Sequence, residues 1–370
     1  VFGQRFDTNG TAKGEEFQIN TTTYYNQDTP AISGLDNGGF VVTWEDDNKD
    51  GSGEGVYAQR FDNQGAPEGS EFRVNTRTSS SQENPSITTL DNGSFVVAWQ
   101  DGSTIYTQMF GEDGTPEGSE TPVSNSTSSY EPSVAGLDGG GFVITWHNTN
   151  SYDGGIGNDI RGQMFDSSGQ EVGTEFRANA YMTGSQTDSD VTGLLGANAG
   201  GFVVTWNDSG QDGSGTGVYG RIYDQQGVAV GEDFRINTET KASQADASVT
   251  ALDDGGFFVT WESQNQDGDA KGIYGQRFDA SGKALKFRSS VEVSETTGST
   301  EEAVRLFGDI EVGDSYTVSI DSQGTTYTAT YTAQAGETMM DVRAELVDEV
   351  NKTTGIPVTA TVGGGVNEIF

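Results

Sequence analysis

Short apolar runs recur along the chain at intervals of about fifty residues. Residues 38–44 read GGFVVTW, and close copies end at Trp99, Trp146, Trp206 and Trp261. Successive tryptophans of the five copies are 55, 47, 60 and 55 residues apart. Because self-similarity at a period of about 20–50 residues marks a repeat architecture, the sequence predicts an array of one structural unit.

Each unit carries four segments with strand patterns. They are clearest at residues 85–90 (PSITTL), 94–99 (SFVVAW), 105–110 (IYTQMF) and 120–125 (ETPVSN). Short Asp/Asn/Gly links such as residues 91–93 close hairpins, since Asn and Gly tolerate positive φ, so consecutive strands should pair antiparallel. The second strand is apolar on both faces and must therefore be covered on both sides.

A four-stranded unit of this length, covered by its own copies, is what a β-propeller blade requires. A string of β-sandwiches is the alternative. The first two strand types occur five times and the last two six times, if residues 286–293 (KFRSSVEV) are the final copy. This count favours a mainly β protein with about six blades, the first lacking its inner pair, and leaves five blades possible.

The repeats end near residue 288, which divides the chain into a propeller domain (1–288) and a small α+β module (289–370). In the module, residues 313–320 and 325–332 alternate as half-buried strands do, and an apolar stripe at helical spacing follows Thr338. A further strand is expected from Pro357. Both chain ends fall inside strand patterns, so we expect a longer parent protein and an incomplete last strand.

The net charge of the chain indicates which kinds of partner it can bind. The chain has 56 Asp and Glu and only 19 Lys and Arg, which gives a formal net charge of −37. This charge disfavours binding to nucleic acid and anionic membrane surfaces and favours binding to divalent cations. The absence of Cys excludes disulfides and thiolate metal sites. No apolar run is long enough to insert in a membrane.

Loops between the second and third strands alternate Asp and Asn ahead of Gly, as in residues 46–51 (DDNKDG). Oxygen ligands at alternate positions are typical of calcium-binding loops, whereas Asp-Gly turns on an acidic surface are the alternative. The sequence therefore predicts Ca²⁺ as a cofactor. The predicted ligands are Asp46, Asn48, Asp50, Asn148, Asn150, Asp153, Asp159, Asp208, Asp212, Asn265, Asp267 and Asp269.

Catalysis is weakly supported by the sequence. His147 is the only histidine, so no triad or multi-histidine metal centre can form. Every prominent acidic pair sits in a repeated loop, whereas an active site should be unique to one blade. We therefore expect no catalytic residues and no enzyme, although paired carboxylates leave a glycosidase open.

The repeat consensus, clearest in residues 211–220 (QDGSGTGVYG) and 256–279, resembles repeats of giant exported bacterial proteins described as calcium-binding or RTX-adhesin-like. The likeness weakens at residues 100–103, where the loop is short. Residues 291–370 resemble GDxYTV modules of large surface and phage-tail-like proteins. The resemblance implies an extracellular or cell-surface location and a structural or adhesive role.

Three functional hypotheses follow. The first is a calcium-rigidified structural or adhesive region of a very large surface or secreted protein. The second is a self-assembling filament or sheath subunit, and the third is a glycan-binding or carbohydrate-active propeller. The expected partners are calcium, cell-surface glycans and other copies of the chain.

Overall fold

The computed structural model describes residues 1–126, 128–149, 157–266 and 268–285, and beyond them the strands of residues 291–369 given below together with Gln334, Glu345, Glu349 and Lys352. The chain divides into two compact units, Val1–Ala284 and Leu285–Phe370.

The first unit consists of consecutive antiparallel strands. They are β1 (Phe2–Phe6), β2 (Ala12–Gln18), β3 (Gln27–Gly34), β4 (Phe40–Asp47), β5 (Glu54–Phe61), β6 (Pro67–Arg73), β7 (Gln82–Thr89), β8 (Phe95–Asp101), β9 (Thr104–Phe110), β10 (Pro116–Pro122), β11 (Ser129–Gly136), β12 (Phe142–Asn148), β13 (Asp159–Phe165), β14 (Glu171–Arg177), β15 (Gln186–Gly193), β16 (Phe202–Ser209), β17 (Thr216–Tyr223), β18 (Ala229–Arg235), β19 (Gln244–Ala251), β20 (Phe257–Gln264), β21 (Lys271–Phe278) and β22 (Ala284–Leu285). A short 3₁₀ helix spans Gly196–Asn198.

Five four-stranded sheets form, β3–β6, β7–β10, β11–β14, β15–β18 and β19–β22, here called blades 1 to 5. The first strands of the blades pack side by side in chain order, so each blade radiates outward from its first strand. This is the predicted β-propeller. The strands β1 and β2 form a two-stranded sheet ahead of blade 1, as expected for an incomplete first blade.

The repeated motifs build the same aromatic contact in every blade. In blade 2, Phe95 from the second strand stacks on Phe110 from the third, with ring centroids 5.2 Å apart. Blade 3 repeats this with Phe142 and Phe165 at 4.7 Å. Because these rings and the neighbouring tryptophans are buried between adjacent sheets, each blade seals the core of the next.

A buried asparagine joins successive blades. Asn75, after the last strand of blade 1, accepts a hydrogen bond from the Val56 amide at 2.9 Å and donates to Gln82 Oε1 of blade 2 at 2.7 Å. Asn179 and Asn237 make the same two contacts further along the chain. The asparagine of the EFRVNT-type motif therefore satisfies buried polar groups on both sides of the connection.

The ring of blades has an open flank. Ile32 on the first strand of blade 1 is 65% exposed, although the equivalent Ile87, Val134, Val191 and Val249 of blades 2 to 5 are buried. At the other end of the array, Ile273 of blade 5 is 73% exposed, whereas its equivalent Val56 is fully buried. Ile32 and Ile273, at the two ends of the array, are therefore exposed, although their equivalents in the other blades are covered by a neighbouring blade.

The second unit is described only in part. Its strands are β23 (Val291–Ser294), β24 (Ala303–Leu306), β25 (Ser315–Ser322), β26 (Thr325–Thr332) and β27 (Glu368–Ile369). The hairpin β25–β26 matches the two predicted strands, and Glu345, Glu349 and Lys352 are helical where a helix was expected. The strand expected from Pro357 lies outside the described residues. Among the described residues, no helix has the length and hydropathy of a membrane-spanning segment.

Candidate functional site

Each first strand carries a β-bulge near its start, and one residue of the bulge takes a left-handed conformation. These bulge residues are Thr29, Asn84, Glu131, Asp188 and Asp246, with φ between 47° and 55°. The strand register shifts at each of them. Left-handed non-glycine residues are costly, and bulges that re-aim side chains concentrate next to functional sites.

The bulges surround a cavity of about 400 Å³ at one end of the propeller channel. Its lining includes the bulge residues of blades 1 to 4, together with Ser133, Asp190 and Ser248. We call this the bulge-side mouth. Its volume falls in the range of small-molecule sites, about 300–1,000 Å³.

One histidine and two carboxyl groups meet at the bulge-side mouth. Glu131 Oε2 lies 3.2 Å from His147 Nδ1, and the His147 ring stacks on Tyr130. Asp188 accepts hydrogen bonds from Asn207 Nδ2 at 2.6 Å and from the Thr187 hydroxyl at 2.9 Å. Glu131 and Asp188 both line the cavity.

The two carboxyl groups differ in acidity. Contact with the His147 imidazole lowers the pKa of Glu131 to about 2, and the Asp188 carboxyl acts in the same direction. Burial raises the pKa of Asp188, and the adjacent Glu131 carboxylate raises it further. Asp188 is therefore the weaker acid of the two and Glu131 the stronger.

Further carboxyl groups flank the pair. Glu45 accepts a hydrogen bond from the Asn84 amide, and burial raises its pKa. Burial also raises the pKa of Glu83. Asp190 accepts hydrogen bonds from the Ser133 hydroxyl and the Val249 amide, both at 2.8 Å, and so ties blades 3, 4 and 5 together. Asp190 therefore has a structural role in the wall of the cavity.

The predicted calcium ligands of blade 1 lie beside charged and polar groups of the protein. Asp46 is buried and lies 3.2 Å from Lys49 Nζ. Asn48 donates to Asp47, and Asp50 Oδ1 accepts from the Ser52 amide. Asp50 Oδ2 is buried without a hydrogen-bond partner among the described residues and lies 3.9 Å from Arg73 Nη1. Lys49 thus places a positive charge beside Asp46.

In blades 3 and 5 the predicted ligands are only partly described. Asn148 donates to the Ser129 hydroxyl, and Asp159 accepts from Asn179. Asn265 is left-handed and Asp269 is exposed. Asn150, Asp153 and Asp267 lie outside the described residues.

In blade 4, Asp208 accepts hydrogen bonds from Gln186 Nε2 and the Gln211 amide, and Asp212 accepts from the Ser214 amide. Across the part of the chain that the structure describes, no three His, Asp or Glu side chains come together to hold a metal.

Comparisons with known proteins address the fold. No protein family model matches the sequence, and no curated protein matches it. The structure is similar to that of a protein of unknown function from Dyadobacter fermentans, with a TM-score of 0.50 and 10% identity over 84% of this chain and 92% of that one. Other matches are an α-L-arabinofuranosidase from Fusarium graminearum (TM-score 0.48, 12% identity, 84% and 93% covered) and an endo-arabinase from Bacteroides thetaiotaomicron (0.38, 10%, 69% and 95%).

The sequence-based prediction that this chain is not an enzyme is wrong. Solved structures that match it include glycoside hydrolases, although identities near 10% make this a likeness of fold alone. The physical error was to search for chemistry in the repeated loops. The bulge residues are Thr, Asn and Glu in blades 1 to 3 and Asp in blades 4 and 5, so the mouth of a repetitive propeller holds an arrangement that occurs once.

Sequence reasoning missed Glu131, Asp188 and Glu45 as site residues. A partial signal existed, because Thr29, Asn84 and Glu131 each precede a proline. Proline disfavours the right-handed helical conformation for the residue before it and often marks irregular strands.

Proposed function

We propose that this protein acts on glycans at the bulge-side mouth. The observation that carries the proposal is that Glu131 and Asp188 line one cavity of about 400 Å³, with Glu131 Oε2 3.2 Å from His147 Nδ1. The pKa of Asp188 is raised and that of Glu131 is lowered, which suits proton transfer from Asp188 to a leaving group.

Charge and exposed aromatic surface favour neutral glycans. Glu45, Glu83, Glu131 and Asp188 give the mouth an excess of acidic groups, which repels uronic or sialic acid substrates. In the loop leading into β3, Tyr24 and Tyr25 are exposed, offering flat apolar faces to a sugar ring at the same end of blade 1 as Thr29.

The chemistry assigns Asp188 as proton donor and Glu131 as the carboxylate that holds the proton in place. Most glycosidases use a second carboxyl group as base or nucleophile. Glu45 and Glu83, which flank the pair, are the candidates for this role.

The test combines a glycan array with hydrolysis assays on neutral oligosaccharides. We expect Asp188→Asn and Glu131→Gln to lower hydrolysis by about 10²-fold or more while glycan binding persists. Glu171→Gln, on the exposed face of β14, is the matched control. Unchanged hydrolysis in both mouth variants, or no binding and no hydrolysis of any glycan, would overturn the proposal.

A second candidate is self-assembly through the open flank. It is favoured by Ile32 and Ile273, which are exposed although their equivalents in other blades are buried. A strand pair from another copy would cover them. Sedimentation should show oligomers that Ile32→Ser and Ile273→Ser dissociate; a monomer at all concentrations would exclude this role.

We further propose that the chain is extracellular, as part of a large structural or adhesive protein. Its support is the resemblance of the repeats to those of exported proteins, together with the acidic, cysteine-free composition. Glycan recognition at the mouth is compatible with an adhesive role. Protease protection on intact cells of the source organism tests the location.

A further inference from the structure

The two strands ahead of blade 1 form the outer half of a blade. β1 pairs with β2 in the register that joins β5 to β6 in blade 1, with the same bulge. Asn20 accepts a hydrogen bond from the Val1 ammonium at 2.7 Å and donates to Gln27 Oε1 at 3.2 Å, as Asn75 does between blades 1 and 2. β1 and β2 therefore take the places of a third and a fourth strand. Among the described residues, no first or second strand pairs with them.

This outer pair packs on blade 1 as one blade packs on the next. The centroid of the Phe17 ring lies 5.7 Å from that of Phe61 in blade 1. The equivalent Phe72 of blade 1 lies 5.5 Å from Phe110 of blade 2. Arg5 donates to a backbone carbonyl in the turn between β5 and β6 at 2.5 Å. The outer pair is thus held where a blade preceding blade 1 belongs.

Both aromatic side chains of β1 are exposed. Phe6 is 60% exposed, whereas the equivalent ring is buried in all five blades. In each blade that ring stacks on a phenylalanine of the second strand, with centroids 4.7–5.2 Å apart. Phe2 is 65% exposed, although its equivalent Tyr57, opposite Trp44, is buried. The free edge of β1 therefore lacks the two aromatic partners that a second strand supplies elsewhere.

The exposed residues of the open flank face the same missing strands. Val56, on the third strand of blade 1, belongs to one buried cluster with Ile87 and Phe95 from the first two strands of blade 2. Ile273 is the equivalent of Val56, and Ile32 is the equivalent of Ile87. A first and a second strand beside β1 would cover Ile32 on one face and, in a ring of six blades, Ile273 on the other.

We infer that the free edge of β1 is a docking site for a β-hairpin that has the first-and-second-strand pattern of this repeat and belongs to a partner polypeptide. Its second strand runs antiparallel to β1, with a phenylalanine opposite Phe6 and, four residues later, a tryptophan opposite Phe2. The hairpin completes a four-stranded blade and pairs the free backbone groups of the β1 edge. Such docking rests on the open flank of the second proposed function and adds the pattern that the incoming strands must carry.

The chain itself shows this pattern at the corresponding edge of every blade. Each third strand is paired with a second strand that carries phenylalanine and, four residues later, tryptophan or, in the partner's terms, the same aromatic spacing that β1 presents. The five pairs are Phe40 and Trp44, Phe95 and Trp99, Phe142 and Trp146, Phe202 and Trp206, and Phe257 and Trp261.

The test uses a synthetic peptide with the sequence of residues 27–47, which spans β3, β4 and the turn between them. Isothermal titration into the full chain should show one peptide bound per chain. Saturating peptide should raise the Tm by about 5 °C or more, because it binds the folded state. Phe6→Ser should weaken binding by about tenfold or more. Val230→Ser, at another exposed apolar site, is the matched control and should bind as wild type does.

Disulfide formation tests the register, since the chain has no cysteine of its own. Gln4 is the equivalent of Gln59, which lies opposite Val42 in blade 1. Gln4→Cys should therefore form a disulfide with a peptide carrying Val42→Cys. A peptide carrying Val41→Cys should form little, because neighbouring side chains of a strand point to opposite faces.

Three results would overturn the inference: no peptide binding by wild type, equal affinities of Phe6→Ser and Val230→Ser, or equal cross-linking of the two cysteine peptides. The same titration separates this docking from self-assembly. A monomer that binds the peptide in register would support the docking site and exclude self-assembly. Oligomers that persist without binding the peptide would overturn the docking site and leave self-assembly intact.

Discussion

At the scale of single residues, the bulge positions show how one repeated strand carries four residue types at five equivalent positions. Thr29, Asn84 and Glu131 precede proline, but Asp188 and Asp246 adopt the same left-handed conformation before Ser and Ala. Packing of the first strands therefore imposes the conformation, and the residue type is free to vary. Variation at these positions is what creates a unique site in a repetitive molecule.

The pH dependence of the free energy of unfolding tests the directions assigned to the pKa values of Glu131 and Asp188. The pKa of Glu131 is lowered in the folded state, so its contribution to the free energy of unfolding is present above about pH 4.5 and is lost as the pH falls towards 2. Because the side chain is partly exposed, we expect about 1 kcal/mol. Urea unfolding at pH 6 and pH 3 should show a smaller decrease for Glu131→Gln than for wild type.

Asp188 should behave in the opposite sense. Its pKa is raised in the folded state, so its contribution is present below its unfolded pKa and declines as the pH rises through the folded value. The Asp188→Asn variant should therefore gain stability relative to wild type on going from pH 4 to pH 7. An equal pH response of Glu131→Gln, Asp188→Asn and the surface control Glu171→Gln would contradict the assignment.

At the scale of elements, the connection between blades depends on one buried asparagine. We expect Asn75→Ala to lower the free energy of unfolding by about 1–3 kcal/mol, since the Val56 amide and Gln82 lose their partner. The chain offers its own control, because Ser124 replaces this asparagine between blades 2 and 3 and accepts from the Ile105 amide at 3.1 Å. Asn75→Ser should therefore be milder than Asn75→Ala in denaturant unfolding.

At the scale of the whole molecule, the open flank predicts an uneven response to identical mutations. Ile105 is fully buried between blades, so Ile105→Ala should cost about 2–5 kcal/mol. Ile273, at the same position of blade 5, is mostly exposed, and Ile273→Ala should cost less than about 1 kcal/mol in dilute protein. Equal losses of Tm at the two positions would show that Ile273 is covered in solution.

Much of the fold was predictable from sequence because local sequence patterns specify it. Alternating apolar residues, Asp-Asn-Gly turns such as that ending at Gly93 (φ 81°) and fifty-residue periodicity specify antiparallel four-stranded units without reference to distant contacts. Counting the strand patterns in the sequence limited the number of blades to five or six. Which flank stays open could not, because exposure of Ile32 and Ile273 depends on the neighbours that each blade meets.

The site was decided by tertiary structure. Glu131 and Asp188 are 57 residues apart and carry no shared motif; they meet because two first strands pack side by side and their bulges point to one mouth. Asp46, Asp101 and Asp208 each stand two residues after a repeated tryptophan, so the sequence alone determines that they occupy equivalent positions. Only the tertiary structure places Lys49 Nζ 3.2 Å from Asp46 and Arg77 Nε 2.7 Å from Asp101, because these cations come from different segments of the chain.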